Sequence, residues 1–197
     1  SVAEEFYEDW YRPDLMAVVA VGDFDSDEVV QKIKNQFSQI PPHPNPKERK
    51  EYSVPLHTDT RYLIVTDPEA TTSSVTVTYK FPKKIFNNSV NDFKSEQLIK
   101  MFTEMLNSRL TERTKDPESA LLYGYNYTGS WVRNIDGFNI GAGVKPNMIE
   151  EGLEELLVEL ERVLRHGFTK SEFERQKRTN LKQIEKLYNE RDKTNSG

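Results

Sequence analysis

Cysteine is absent from the 197 residues, so disulfides, thiol catalysis and cysteine-bound zinc are all excluded. A cysteine-free domain folds in oxidising and reducing spaces alike, so this absence leaves the compartment open. Histidine is scarce, with three in the chain. No apolar run approaches the roughly 20 residues of a membrane span, and no cleavable leader pattern opens the sequence. Basic charge is in deficit, with 27 Lys and Arg against 32 Asp and Glu and a net charge of −5. Nucleic-acid binding relies on a basic face that displaces counterions from phosphate, so no nucleic-acid partner is expected. What is present is enough hydrophobic and aromatic material, 36% and 11%, for a folded core rather than a disordered chain. At 22.9 kDa one domain over 1–197 is expected, excised from a longer multidomain chain, with a linker starting over 189–197.

Along the chain, Phe6, Tyr7, Trp10 and Tyr11 fall at helical spacings, predicting a helix over Val2 to Tyr11 with one docked aromatic face; Pro13 ends it. Leu15 to Val21 is a continuous apolar run, which predicts a buried central strand. Asp25 with Glu28 opens a helix carrying Val29, Val30, Ile33 and Phe37. Five prolines between Ile40 and Pro55 mark an irregular connection. Tyr62 to Thr66 reads as a second strand. Ser73 to Phe81 alternates, with Val75, Val77, Tyr79 and Phe81 opposite Ser74, Thr76, Thr78 and Lys80, as a strand with one covered face does. A helix follows over Asn91 to Leu110, with Leu98, Phe102, Met105 and Leu106 on its stripe.

Leu121 to Trp131 and Phe138 to Val144 read as two antiparallel strands joined by a turn near Asn134 to Gly137. Asn147 with Glu150 should cap the next helix, whose stripe runs through Ile149, Leu153, Leu156, Leu157, Leu160, Val163 and Leu164 and ends at Gly167. Thr169 with Glu172 is a capping box for the last helix. The order is strand, helix, two strands, helix, two strands, two helices. It predicts an α+β two-layer sandwich, a mostly antiparallel sheet with helices on one face.

The residues offer little catalytic chemistry. A zinc site needs about three converging ligands. His43 lies in the proline-rich loop, His57 in an extended segment and His166 at a helix end; neither HxxEH nor HExxH occurs. No metal ligand or cofactor is assigned to this chain. Ser108 and Ser130 lack a GxSxG frame. Gly137, Gly141 and Gly143 lie in strand-like sequence without a dinucleotide setting, and the alternation of the last two predicts close approach by another backbone or helix. Tyr123, Tyr125, Tyr127 and Trp131 fall on one face of their strand. Two readings stay open: a core-facing aromatic row, or a platform beside a strand edge that pairs with an extended peptide.

The run from Phe6 through Tyr11-Arg12-Pro13-Asp14-Leu15-Met16 to Val21-Gly22-Asp23-Phe24-Asp25 resembles the entry to the second domain of the insulinase/pitrilysin-type zinc metallopeptidases. Leu106-Asn107-Ser108-Arg109-Leu110-Thr111-Glu112, and Gly167-Phe168-Thr169 with Glu172, Phe173 and Lys177, resemble later segments of the same domain, in the expected order. The resemblance implies a two-layer fold and a clamshell of homologous domains. In that family the preceding domain carries the HxxEH zinc motif, and the resemblance implies that this one encloses an unfolded peptide without holding metal. It implies no catalytic residue here, zinc in the parent protein, preceding and following domains of the same chain as partners, and an extracytoplasmic bacterial location. Tyr125, Asn126, Tyr127 and Thr128 are carried over as substrate-binding candidates. Arg113 and Tyr123 depart from the spacing of the family's carbonyl-steadying pair, and Arg109 reads as a helix-end residue. A non-proteolytic structural or peptide-binding subunit with the same fold is the alternative, and an unrelated small-molecule enzyme a third reading.

Overall fold

The computed structural model describes residues 1–193. Two compact units divide the chain: Ser1–Tyr52 with the end from Glu190, and Ser53–Asn189. In the first unit, helix α1 (Val2–Trp10) begins at a capping box between Ser1 and Glu4 and carries Tyr7 stacked on Tyr11 at 4.7 Å. Both rings are more than half exposed. Buried Arg12 donates to the Lys47 carbonyl at 2.6 Å, and the Lys47 ammonium returns to Asp9 at 2.5 Å. These bonds fasten the proline-rich stretch to α1. Helix α2 (Ser26–Phe37) starts where Asp25 accepts from the Glu28 N–H, as its sequence predicts.

The two early strands do not form. After a single turn at Pro13–Leu15, the run to Val21 carries no regular structure and pairs with no strand among the described residues, and Val19 is 81% exposed. Tyr62 to Thr66, in the second unit, likewise carries no regular structure and pairs with no strand among the described residues, with Leu63 85% exposed. Apolar composition marks a segment that fits a sheet, but a strand exists only where a neighbour takes its N–H and C=O groups.

The second unit is an α+β layer pair. Strands β1 (Ser73–Pro82), β2 (Leu121–Val132) and β3 (Ile135–Val144) form an antiparallel sheet in the order β1-β3-β2. Val132 pairs with Ile135, so the turn is the two residues Arg133 and Asn134, tighter than the sequence predicts. Helices α3 (Val90–Arg113), α4 (Ile149–His166) and α5 (Lys170–Glu190) complete the unit. Ser89 and Asp92 cap α3 reciprocally, just upstream of the predicted start. Asn147 is not the cap of α4. It takes a left-handed φ of 61°, and Met148 occupies the cap position without a side-chain bond. The Thr169–Glu172 box forms as predicted, with Glu172 N–H to Thr169 Oγ1 at 3.3 Å and Thr169 N–H to Glu172 Oε2 at 2.7 Å. The expected linker over 189–197 begins inside α5, and its residues 194–197 lie outside the described residues.

The core lies between one sheet face and the helices. Leu106 and Leu110 of α3, Leu156, Leu160 and Val163 of α4, and Leu121, Ile140, Ala142 and Val144 of the sheet are buried together. Val75 and Val77 of β1 join them, as the alternation predicts, whereas Leu98 of the expected α3 stripe is exposed. The other face of the sheet has no helix on it among the elements that pack together.

Candidate peptide-binding face

Strand parity sends alternate residues to opposite faces. Tyr123, Tyr125 and Tyr127 therefore point away from the helices, in register with Gly143, Gly141 and Asn139 of β3. The Tyr123 and Tyr125 rings lean inward over β3, whereas the Tyr127 ring lies along its own strand over Gly129. A Cβ at Gly141 would meet the Tyr125 ring at 2.8 Å, and one at Gly143 would collide with the Tyr123 ring. The close approach that these glycines permit is thus made by tyrosine rings, not by the backbone or helix that the sequence predicts. Tyr125 reaches across β3, and its hydroxyl lies 3.2 Å from Thr76 Oγ1 on β1. Tyr125 remains 40% exposed and Tyr127 52%. The core-facing reading of this aromatic row does not hold; the row is a half-exposed pavement.

The same parity splits the four binding candidates. Tyr125 and Tyr127 stand on the open face. Thr128 falls on the opposite side, half-buried, and Asn126 is 3% exposed. The Asn107 side chain of α3 accepts the Asn126 backbone N–H at 2.6 Å and donates to the Asn126 carbonyl at 3.3 Å. Asn126 Nδ2 donates in turn to the Thr103 carbonyl at 2.9 Å. An amide that bonds both backbone groups of one residue does locally what a neighbouring strand would do. The outer edge of β2 is therefore occupied at its middle.

Sequence reasoning missed the polar knot at the α4–α5 corner. The Arg109 guanidinium donates to Glu172 at 2.7 and 2.9 Å, to Glu159 at 3.2 Å and to the Gly167 carbonyl at 3.1 Å, and lies 4.9 Å from the Phe168 ring centre. Glu172, a cap in the sequence, is thereby also an ion-pair partner. Its carboxyl is held down to about 2, chiefly by the Arg109 hydrogen bonds, with Thr169 adding to the effect. Arg109 is raised, chiefly by its hydrogen bonds to Glu172. The spacing of Thr169 and Glu172 signalled the box, but nothing local signals a partner so far along the chain. Arg113 bonds Glu155 at 3.0 Å on the helical side, whereas Tyr123 lies on the open face, so the two do not converge.

The residues do not fit a zinc site. The His43 ring accepts from the Asn45 N–H, the His57 ring sits 2.7 Å from the Asp59 carbonyl, and His166 ends α4. Among the described residues no group of three or more His, Cys, Asp or Glu is placed to hold a metal, so no metal-dependent step is derived on this chain. A hollow of about 710 Å³ opens on the outer flank of α4, lined by Tyr79, Leu153, Leu157 and Leu164. No described helix is long and apolar enough to cross a membrane.

The described residues thus form an α+β layer pair, a helix-backed antiparallel sheet with a half-exposed aromatic face. The peptidase M16 inactive domain matches residues 2–180, and the chain belongs to that family. It is 37% identical over 120 residues to the zinc protease PQQL-like of Arabidopsis thaliana, covering 59% of this chain and 12% of that protein. It is 24% identical over 178 residues to the probable zinc protease PqqL of Escherichia coli, covering 90% of this chain and 19% of that protein. The crystal structure of the periplasmic protease PqqL from Escherichia coli superposes with a TM-score of 0.77 at 22% identity, over 98% of this chain and 21% of that one. The ferredoxin protease FusC, solved as a mutant in complex with Arabidopsis ferredoxin, gives 0.70 at 19% identity, over 88% and 19%. The chain thus spans about a fifth or less of the length of these relatives.

Proposed function

We propose that this chain is the substrate-enclosing, non-catalytic domain of a zinc metalloendopeptidase that degrades unfolded peptides. In this reading the zinc and its HxxEH motif lie in a preceding domain, and flanking domains of the same protein complete the enclosure. The observation that carries the reading is the open sheet face, where Tyr123 and Tyr125 lie on glycines and stay half exposed. Tyrosine gives large, rigid contact area with a polar tip at low entropic cost, which suits an extended chain of varied sequence. Tyr125 and Tyr127 are the contact residues, while Asn126 holds the strand they stand on. The zinc-protease names of the relatives support a metallopeptidase parent, and the periplasmic PqqL structure supports an extracytoplasmic setting.

The test uses the protein that joins this domain to its HxxEH partner. A chelator should abolish peptide cleavage. Tyr125→Ala should raise KM about two- to tenfold, the worth of one aromatic contact, with zinc content unchanged. Chelator-insensitive cleavage, or a Tyr125→Ala enzyme with unaltered KM, would count against the reading.

A further inference from the structure

We propose that the open face selects extended peptides bearing acidic side chains, a carboxylate being received by Lys80 at the hairpin end of the sheet. The inference rests on the reading of this face as a peptide surface and adds the chemistry of the peptide. The face runs from Ser74 to Lys80 on β1, Gly137 to Gly143 on β3 and Tyr123 to Trp131 on β2, and by register Lys80 is its one residue charged at neutral pH. In a chain of net charge −5, a face with no carboxylate and a cation at one end is set apart from the rest of the surface.

Among the described residues the Lys80 ammonium has no anionic partner. Its Nζ stands 5.7 Å from the Trp131 ring centre and donates to the Pro55 carbonyl at 3.3 Å. It is paired with no carboxylate among the described residues, whereas Lys32 and Lys115 each bind one and Lys47 binds two. The carboxylate near this end, Asp136, falls by parity on the opposite face and accepts the Lys84 backbone N–H at 3.1 Å. An ammonium has three donors, and the one hydrogen bond here is long and to a neutral oxygen, so a carboxylate is the better acceptor. The Trp131 ring beside Nζ continues the tyrosine row, so a peptide lying on that row brings its side chains within reach of the ammonium. A side-chain carboxylate fits this flexible stem; capture of a chain end calls instead for converging backbone N–H groups.

The experiment measures fluorescence anisotropy of labelled peptides of about 12 residues, a length matched to one long strand, on the 197-residue chain. The peptides are built of Ser, Thr and one Phe, with two Glu in one and two Gln in the other, each with a free or amidated C-terminus. The Glu peptide should bind about two- to fivefold more tightly at low salt, as expected for an exposed ion pair. That advantage should shrink with added salt and vanish in the Lys80→Glu variant, but persist in Lys32→Glu. Equal binding of Glu and Gln peptides, both weakened by Tyr125→Ala, would overturn the acid preference and leave the peptide face standing. A preference that survives the charge reversal, or follows the free C-terminus, overturns it as well. Binding of neither peptide would overturn both.

Discussion

The two faces of one sheet are built on opposite terms. On the helical face, Leu, Ile and Val side chains pack with α3 and α4 into one buried cluster. On the other, glycines remove the side chains of β3 so that tyrosines of β2 lie over it and stay wet. The first face spends its apolar area on cohesion. The second keeps its aromatic area available, which is how a surface that must bind and release differs from one that must only hold together.

That contrast predicts unequal costs. Leu106 is fully buried, so Leu106→Ala should cost about 2–5 kcal/mol of stability. Tyr127→Ala, on the half-exposed row, should cost about 1 kcal/mol or less. Urea unfolding of both variants checks this, and comparable losses would erase the distinction between the faces.

An effect smaller than the Leu106 loss should come from the Arg109–Glu172 knot, as a pH dependence. Glu172 titrates at about 2 in the folded chain, against the ordinary 4.5 of a free glutamate. A depressed carboxyl contributes stability that is fully present above its unfolded value and is lost as pH falls from about 4.5 to 2. The wild type should therefore lose about 1–2 kcal/mol across that window, less than the whole shift implies because solvent screens part of the pair. Glu172→Gln should start less stable at pH 7 and lose correspondingly less on acidification. Parallel acid limbs for the two proteins would show that the pair contributes nothing.

The open face was legible in the sequence only in halves. Alternation alone put Val75 and Val77 opposite Thr76 and Thr78, and Tyr125 opposite Asn126, because period two is written into any strand. It could not say which side the helices take, so a tyrosine row reads more readily as core-facing, and only register places it on the surface. The glycine spacing at Gly141 and Gly143 was visible, but the rings they admit belong to another strand and follow from register. The N-cap at Asp25 and the capping box at Thr169 were readable, because donor and acceptor lie within four residues. Arg109, Asn107 and Lys80 act on partners far along the chain, and no local pattern marks them. The apolar runs Leu15 to Val21 and Tyr62 to Thr66 show the limit from the other side: hydrophobic composition without a partner gives no ladder.

The most direct measurement is side-chain NMR of the chain during titration with the acidic peptide. The account predicts shifts of the Tyr123, Tyr125 and Tyr127 ring resonances while the methyls of Leu153, Leu157 and Leu164 stay in place. Shifts confined to those leucine methyls on the outer flank of α4, with the tyrosine rings unmoved, would contradict it.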